Sequence, residues 1–497
     1  MNSIPKNWLI AAILIHLLAA WFSVGHYHDD EYAQILNFTT SKTGADMQRG
    51  LAWEFEAGVR SGFQPFIAYS ISKISNFVGI ESPFNLAFIY RFITAIISVL
   101  ASIIFIRSIA SEIKSEKAFK WIAFFLLFSW LLVFTNVRFS SEGWACSFFL
   151  LALGLYNYPS PATKFRFLLV GFCFGLAFLA RYQMGFMLLG FGLWMLFINK
   201  QKFSNVALIL LAGLFTLSLG AGFDLWLYGE PTLSSWNYFK WHLSGLAGGS
   251  ISQALPEPWW FYVYYSAVQT IPPLTILLPF AIILFWFMFP KHPITWLTIP
   301  FVLFHSYFGH KEMRYLFPVL PFAPLMMGLV LLQLNTKFLL LKRRFFKYAW
   351  SLIFWLSMVV NTLLVVLILS LPASKEVAIW QNCLAPYSAD DKTILAVLDK
   401  DGSYSDPAEL NMDFYNPNQL KIISVKDEND LKNVFQQFAD NTILYASRKK
   451  SRSHQLDDAG IEHELLCQAL PSWLLKININ NWTSRASMWR VWSVSSS

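Results

Sequence analysis

Charge is scarce in this 497-residue chain: Asp, Glu, Lys and Arg make up only 14% of it, against about 25% in an ordinary soluble domain. Too few charged side chains remain to coat a soluble globule of this length, which excludes a cytosolic enzyme, a disordered chain and a coiled coil. Cysteine is also sparse. The four cysteines, Cys146, Cys173, Cys383 and Cys467, form no CxxC pair, which argues against a structural zinc site. The chain has no P-loop, no GxGxxG after a strand, no HExxH and no GxSxG. Repeats and low-complexity segments are lacking too. The lack of a soluble nucleotide-binding domain argues against an ATP-driven transporter. No nucleic-acid motif accompanies the net charge of +8, so the basic excess reads as a topology signal.

Hydrophobic residues, by contrast, are 56% of the chain and aromatics 18%. This is the composition of an α-helical polytopic membrane protein. A crossing needs roughly 20 apolar residues, and eleven candidates start near Trp8, Phe84, Lys120, Gly143, Phe167, Gln183, Ser204, Tyr262, Pro293, Tyr315 and Tyr348. The first follows the single Lys6 without a small-residue cleavage site, so it reads as a retained anchor. Lys and Arg cluster in alternate connections: Arg107 to Lys120, Lys164 and Arg166, Lys200 and Lys202, Lys291, and Lys337 to Lys347. That set is expected to be cytoplasmic together with the N-terminus. The opposite, outer set comprises Gly25–Pro83, Thr135–Glu142, the surroundings of Arg181, Asp224–Trp260 and Phe308–Arg314.

Composition changes after Leu371-Pro372. Residues 1–372 read as the transmembrane domain, with a large first outer loop at 25–83. Residues 373–497 read as a small outer α/β domain, with strand-like runs at Thr393–Leu398, Lys421–Val425 and Thr442–Ala446 and a helical stretch at Asp427–Phe438. Cys383 and Cys467 then face an oxidising compartment, where they either pair or stay free thiols.

The outer face carries the unusual residues. The first loop opens with His26-Tyr27-His28-Asp29-Asp30-Glu31-Tyr32. Adjacent carboxylates repel one another, and a membrane boundary solvates charge poorly; both raise proton affinity and suit a general base. A solvated helix N-terminus, where acids suit the dipole, is the plain alternative. Farther along come Trp53-Glu54-Phe55-Glu56 and Arg60-Ser61. Glu56 and Arg60 stand at i,i+4, the spacing of a surface ion pair, and the interleaved aromatics suit a helix lying on the membrane.

Arg138, Arg181 and Asp224 follow at outer ends of apolar stretches, where charge usually faces a protein cavity; snorkelling is the alternative for Arg138 and Arg181. The densest group is Gly309-His310-Lys311-Glu312-Met313-Arg314-Tyr315-Leu316-Phe317-Pro318. On a helix His310 and Arg314 would share a face. Cations here lie on the side positive charge usually avoids, and such a group can hold a phosphate, Arg by a fork and Lys as a point charge. Acids and cations on one face suit displacement of a phosphate leaving group by a neutral hydroxyl.

These residues carry a resemblance. His310-Lys311-Glu312-Met313-Arg314-Tyr315-Leu316-Phe317-Pro318 is similar to the HKE-x-R-[FY]-x-x-P segment of the C-type (GT-C) glycosyltransferases that include the GPI-anchor and N-glycan mannosyltransferases. His28-Asp29-Asp30-Glu31 resembles their HPDE motif, with Asp29 in place of proline. Ala52-Trp53-Glu54 with Arg60-Ser61 resembles a following T-W-E…R-S pattern, with alanine for threonine. Arg138…Glu142, Arg181 and Asp224 are weaker echoes. The resemblance runs over roughly residues 20–325.

It implies a GT-C fold of about eleven transmembrane helices, with residues 1–372 as the catalytic domain. It also implies inverting transfer of mannose from a polyprenyl-phosphate mannose to a lipid-linked glycan on the outer side. Asp30 would be the base, with Asp29, Glu31, Glu54 and Arg60 in support. His310, Lys311, Arg314, Arg138 and Arg181 would hold the donor phosphate, with Glu312 and Asp224 elsewhere in the site. No cofactor and no metal are implied, and no nucleic acid or protein partner is inferred beyond membrane lipids. The membrane would be a bacterial inner membrane, or alternatively the endoplasmic reticulum. Two other readings stand beside this one: a C-type transferase of another polyprenyl-linked sugar to lipid A or protein, and a non-enzymatic flippase or transporter of lipid-linked sugar. A transporter would place its key charges near the bilayer midplane, whereas these sit at span ends.

Overall fold

The computed structural model describes residues 2–496 except 46, 49, 249–256, 269–270, 339–343, 400–404, 449–455 and 486–487. Lys342 and Arg343 of the last basic connection, and part of the Asp224–Trp260 loop, therefore lie outside the described residues. The chain divides into two compact units.

The first unit comprises residues 1–20, 54–66 and 91–367 and is helical. Among the described residues five helical segments are long and apolar enough to cross a membrane: Pro83–Ile109, Glu116–Thr135, Phe203–Tyr228, Met313–Lys337 and Arg344–Ile368. Lys6–Phe22, Met184–Ile198 and Thr275–Met288 are apolar but shorter. The other expected spans fall on Ser141–Tyr156 (16 residues), Lys164–Ala180 (17 residues) and Pro293–Tyr307 (15 residues). The expectation of eleven full crossings is therefore not confirmed. A 16-residue helix is roughly 24 Å long, short of the ~30 Å hydrocarbon core.

Side-chain caps fix where these helices begin. Ser140 Oγ accepts from Gly143 N at 3.0 Å, and Thr163 Oγ1 accepts from Arg166 N at 3.2 Å; each satisfies an otherwise orphaned amide. Lys164–Ala180 and Phe203–Tyr228 lie backbone to backbone. A Cβ on Gly171 would stand 2.1 Å from the Ile209 carbonyl oxygen, so only glycine permits the approach. Glu116–Thr135 is broken at Ser129, which is extended. Asn361 bridges the break by donating to Phe128 O at 2.9 Å and accepting from Trp130 N at 2.8 Å.

The second unit comprises residues 21–53, 67–90 and 368–497. It holds a five-stranded sheet: β1 (Thr393–Leu398), β2 (Lys421–Val425), β3 (Thr442–Ser447), β4 (Ile461–Gln468) and β5 (Arg490–Ser496), in the order β2-β1-β3-β5-β4. β1 pairs parallel with β2 and β3, while β5 runs antiparallel to β3 and β4. Parallel neighbours need crossover helices, here Ser405–Leu410 and Glu428–Gln437. Every residue of β1 is buried, and Leu431 and Val434 of the second crossover pack with Ile394, Ala396, Ile443 and Trp492 in one core. The three expected strands and the expected helix are all present; β4 and β5 complete the sheet. Cys383 and Cys467 form a disulfide with Cα atoms 6.0 Å apart.

The same unit fixes the start of the first loop. Val24 O accepts from Ala373 N at 2.7 Å and Ser374 N at 3.1 Å. Tyr415 stacks on Tyr32, with centroids 6.3 Å apart, and on Phe84, at 5.4 Å.

Candidate active site

In the first unit the charges gather around two glutamates. Glu142, in the first turn of Ser141–Tyr156, is 3% exposed. Its Oε1 accepts from Arg181 Nη1 at 2.6 Å and from Arg314 Nη1 at 3.3 Å. Ser141 Oγ donates to its Oε2 at 3.0 Å. Arg181 stands where Lys164–Ala180 ends, in extended backbone.

Arg314 also reaches Glu312, from Nε to Oε2 at 2.5 Å and from Nη2 to Oε1 at 3.3 Å. His310 Nε2 and the Tyr315 hydroxyl donate to the same Glu312 Oε1, at 2.9 and 3.1 Å. Both guanidinium groups lie over the Tyr315 ring, 5.2 Å (Arg181) and 5.4 Å (Arg314) from its centroid, a cation–π arrangement. The expected helical face shared by His310 and Arg314 is replaced by a different link. Helical structure starts only at Met313 as a 3-10 helix, and extended Glu312 joins the His310 and Arg314 side chains through its carboxylate.

Lys311 is buried. Its Nζ donates to Glu257 O at 2.7 Å and also to Phe308 O, so two of its three donors are engaged. Burial lowers its pKa below the ordinary lysine value. Arg138, also buried, donates from Nε to Phe134 O at 3.4 Å and lies over the Phe134 ring.

Asp224 is the hub of a second network. It accepts from Gly62 N at 2.8 Å, from Ser234 N at 3.1 Å and from the Ser234 hydroxyl. Tyr182 OH meets Ser234 Oγ at 2.5 Å; since the Ser234 proton goes to Asp224, Tyr182 is the donor. Burial pushes the Tyr182 hydroxyl well above the usual tyrosine pKa, and the Asp224 charge adds to the effect. A Cβ on Gly62 would sit 2.2 Å from the Phe223 carbonyl oxygen, so the approach to Asp224 requires glycine. Asp224 thus ties Gly62 to Ser234.

Arg60 bonds Tyr228, its backbone N donating to the hydroxyl at 3.3 Å and its carbonyl accepting at 2.6 Å. Its guanidinium meets Glu54 at 3.4 Å. The expected Glu56–Arg60 pair is replaced by Glu54–Arg60, because the helix Trp53–Glu56 stops at Glu56 and an i,i+4 face never forms.

The three acids of the first loop lie in the second unit and separate by environment. His28 caps the turn Asp29–Glu31, its Nδ1 accepting from Asp30 N at 3.2 Å. Glu31 is buried and reaches back to Tyr27 N at 3.1 Å, closing a reciprocal cap. Asp29 is 69% exposed and faces His26 at 3.4 Å. Asp30 is half-buried and faces His28 at 3.6 Å. A π-helical turn, Tyr32–Leu36, follows directly, a feature frequent at functional sites.

Sequence reading missed Glu142 as the counter-ion of both arginines, and the Tyr315 ring beneath them. In the sequence, Glu142 stands only at the end of the weaker echo Arg138…Glu142. Among the described residues no three of His, Cys, Asp and Glu gather into a metal-binding group.

Residues 7–379 match the model of the Alg9-like mannosyltransferase family. The chain belongs to that family. Within it, the chain is 29% identical over 291 residues to the GPI alpha-1,2-mannosyltransferase 3 of Bos taurus, covering 58% of this chain and 52% of that protein. It is 26% identical over 333 residues to the Homo sapiens protein of the same name, covering 66% and 58%. The chain thus spans little more than half the length of these curated relatives. Among solved structures it resembles ArnT from Cupriavidus metallidurans bound to undecaprenyl phosphate, with TM-score 0.53, 12% identity and coverage of 99% and 98%; at that identity the likeness is one of fold. The resemblance read from His310–Pro318 is borne out by the family match.

Proposed function

We propose that this family member is an inverting glycosyltransferase that moves mannose from a polyprenyl-phosphate mannose to a hydroxyl of a lipid-linked glycan, on the outer side of its membrane. The observation that supports it is the paired guanidinium groups of Arg181 and Arg314, held at Glu142 over Tyr315 inside the family-matched region. Such groups are already fixed before a donor arrives, so little side-chain entropy is spent in binding its phosphodiester. The undecaprenyl phosphate named with the ArnT structure supports a polyprenyl phosphate as the carrier.

In this reading the acceptor oxygen bonds to the anomeric carbon as the carbon–phosphate-oxygen bond breaks. The hydroxyl proton passes to Asp30, and the configuration inverts. Polyprenyl phosphate leaves with one more negative charge, which Arg314, Arg181, Lys311 and His310 stabilise. The work of Glu312 is to orient Arg314 and His310. Membranes containing the protein, supplied with polyprenyl-phosphate mannose and with other polyprenyl-phosphate sugars, test the reading. Transfer of mannose to a lipid-linked glycan is expected. Transfer confined to another sugar, with lipid A or protein as acceptor, would replace it.

A further inference from the structure

A groove of about 650 Å³ lies within the first unit, away from the charged cluster. Its walls come from Glu116–Thr135, Leu274–Met288, Met313–Lys337 and Arg344–Ile368. Its middle is apolar, lined by Ile122, Phe125, Leu278, Met327, Leu331 and Phe354. One end is different: Lys117, Trp121, Asn335, Lys347, Trp350 and Ser351 meet there. Among the described residues no acidic side chain lines the groove, and Lys117 and Lys347 are both exposed. The neighbouring Glu116 is taken by Lys120 at 2.6 Å. Arg344–Ile368 covers the groove loosely: only 11% of its most apolar stretch is buried. It is held at Trp121–Phe354, with centroids 4.4 Å apart, and at Asn361.

We infer that this groove binds an anionic phospholipid, its acyl chain along the apolar walls and its phosphate between Lys117 and Lys347. The walls run from Ser115 to Leu132, roughly 25 Å at 1.5 Å per residue, a length suited to an acyl chain. Tryptophans beside the lysines mark the level of the headgroups, where amphipathic rings settle. The charges choose the occupant. A donor lipid with its phosphate at Arg314 would enter by the opposite end, near Leu320 and Pro324, and would leave both lysines without a role. A zwitterionic phospholipid would gain little from two cations with no acid between them. The inference rests on the chain being a membrane protein and not on the transfer reaction.

The test is native mass spectrometry of the full chain released from nanodiscs of equal phosphatidylglycerol and phosphatidylcholine. The wild type is expected to retain phosphatidylglycerol preferentially. Lys117→Gln with Lys347→Gln should weaken retention about thirtyfold, a factor of roughly five per lysine near a charged headgroup, with an unchanged gel-filtration profile. Lys117→Arg with Lys347→Arg should retain it. Ser351→Trp, which fills the groove and keeps both lysines, should lose it. Equal retention of the two lipids, or undiminished retention in the Gln variant, would overturn the inference. So would displacement of the bound lipid by polyprenyl phosphate, which would make the groove the donor's own.

Discussion

Arg181 and Arg314 converge on one oxygen, Oε1 of Glu142, at 2.6 and 3.3 Å. They come from points 133 residues apart in the chain and share that carboxylate, while Arg314 also bonds Glu312. A buried charge pair is weak as a source of stability, but removing one partner strands the other. Glu142→Gln keeps the size and removes the charge that Arg181 and Arg314 share, leaving Glu312 as the carboxylate bonded to Arg314. Thermal unfolding in detergent should show a loss of about 3–5 kcal/mol. An unchanged melting profile would mean that Glu312 and Tyr315 hold the arginines alone.

The three acids of the first loop should separate in the same order as their surroundings. Asp30→Asn should reduce transfer by about 10²–10⁴-fold, the range of a general base, at normal expression. Glu31→Gln weakens the cap on Tyr27 N and should lower stability more than turnover. Asp29→Asn, at an exposed position, should be mild. An inactive Asp29→Asn beside an active Asp30→Asn would shift the base by one residue.

Lys311 combines a lowered pKa with two backbone partners. Its charged form binds phosphate, and it loses that charge at a lower pH than an ordinary lysine. Donor KM should therefore rise on the alkaline side earlier than an ordinary lysine would allow, and Lys311→Arg should move that limb to higher pH. Lys311→Ala should raise donor KM roughly tenfold to a hundredfold, from the ~1.5–3 kcal/mol of a hydrogen bond to a charged group. A donor KM that Lys311→Ala leaves unchanged would confine Lys311 to tying Glu257 and Phe308.

The Cys383–Cys467 disulfide closes a separation of 84 residues. Cross-links of this kind stabilise by about 2–4 kcal/mol, mainly through the unfolded chain. Cys383→Ser should lower the melting temperature under oxidising conditions and abolish its response to reductant. A wild-type melt indifferent to reductant would show that the bond contributes nothing.

What was legible in the sequence was local. β1, β2 and β3 stand out as short strand-like runs, and Asp427–Phe438 between two of them as a helical stretch. β4 reads IEHELLCQ, alternating too irregularly to stand out, and it pairs only with the distant β5. The HKE segment identified the family because its spacing survives in one stretch of chain. Glu142 escaped because its partners stand 39 and 172 residues away, which no periodicity reports. The Glu56–Arg60 pair failed because it assumed a helix that ends one turn early. The span count stays unconfirmed where the helices are only 15–17 residues long, because an apolar run in the sequence does not report the length of its helix.

The most direct measurement is the anomeric configuration of the product. Purified protein in proteoliposomes would be given polyprenyl-phosphate mannose of known anomer and a lipid-linked glycan acceptor, and the new linkage read by NMR. A single displacement with Asp30 as base predicts mannose in the configuration opposite to that of the donor. Retention of configuration, or no transfer of mannose from this donor, would contradict it.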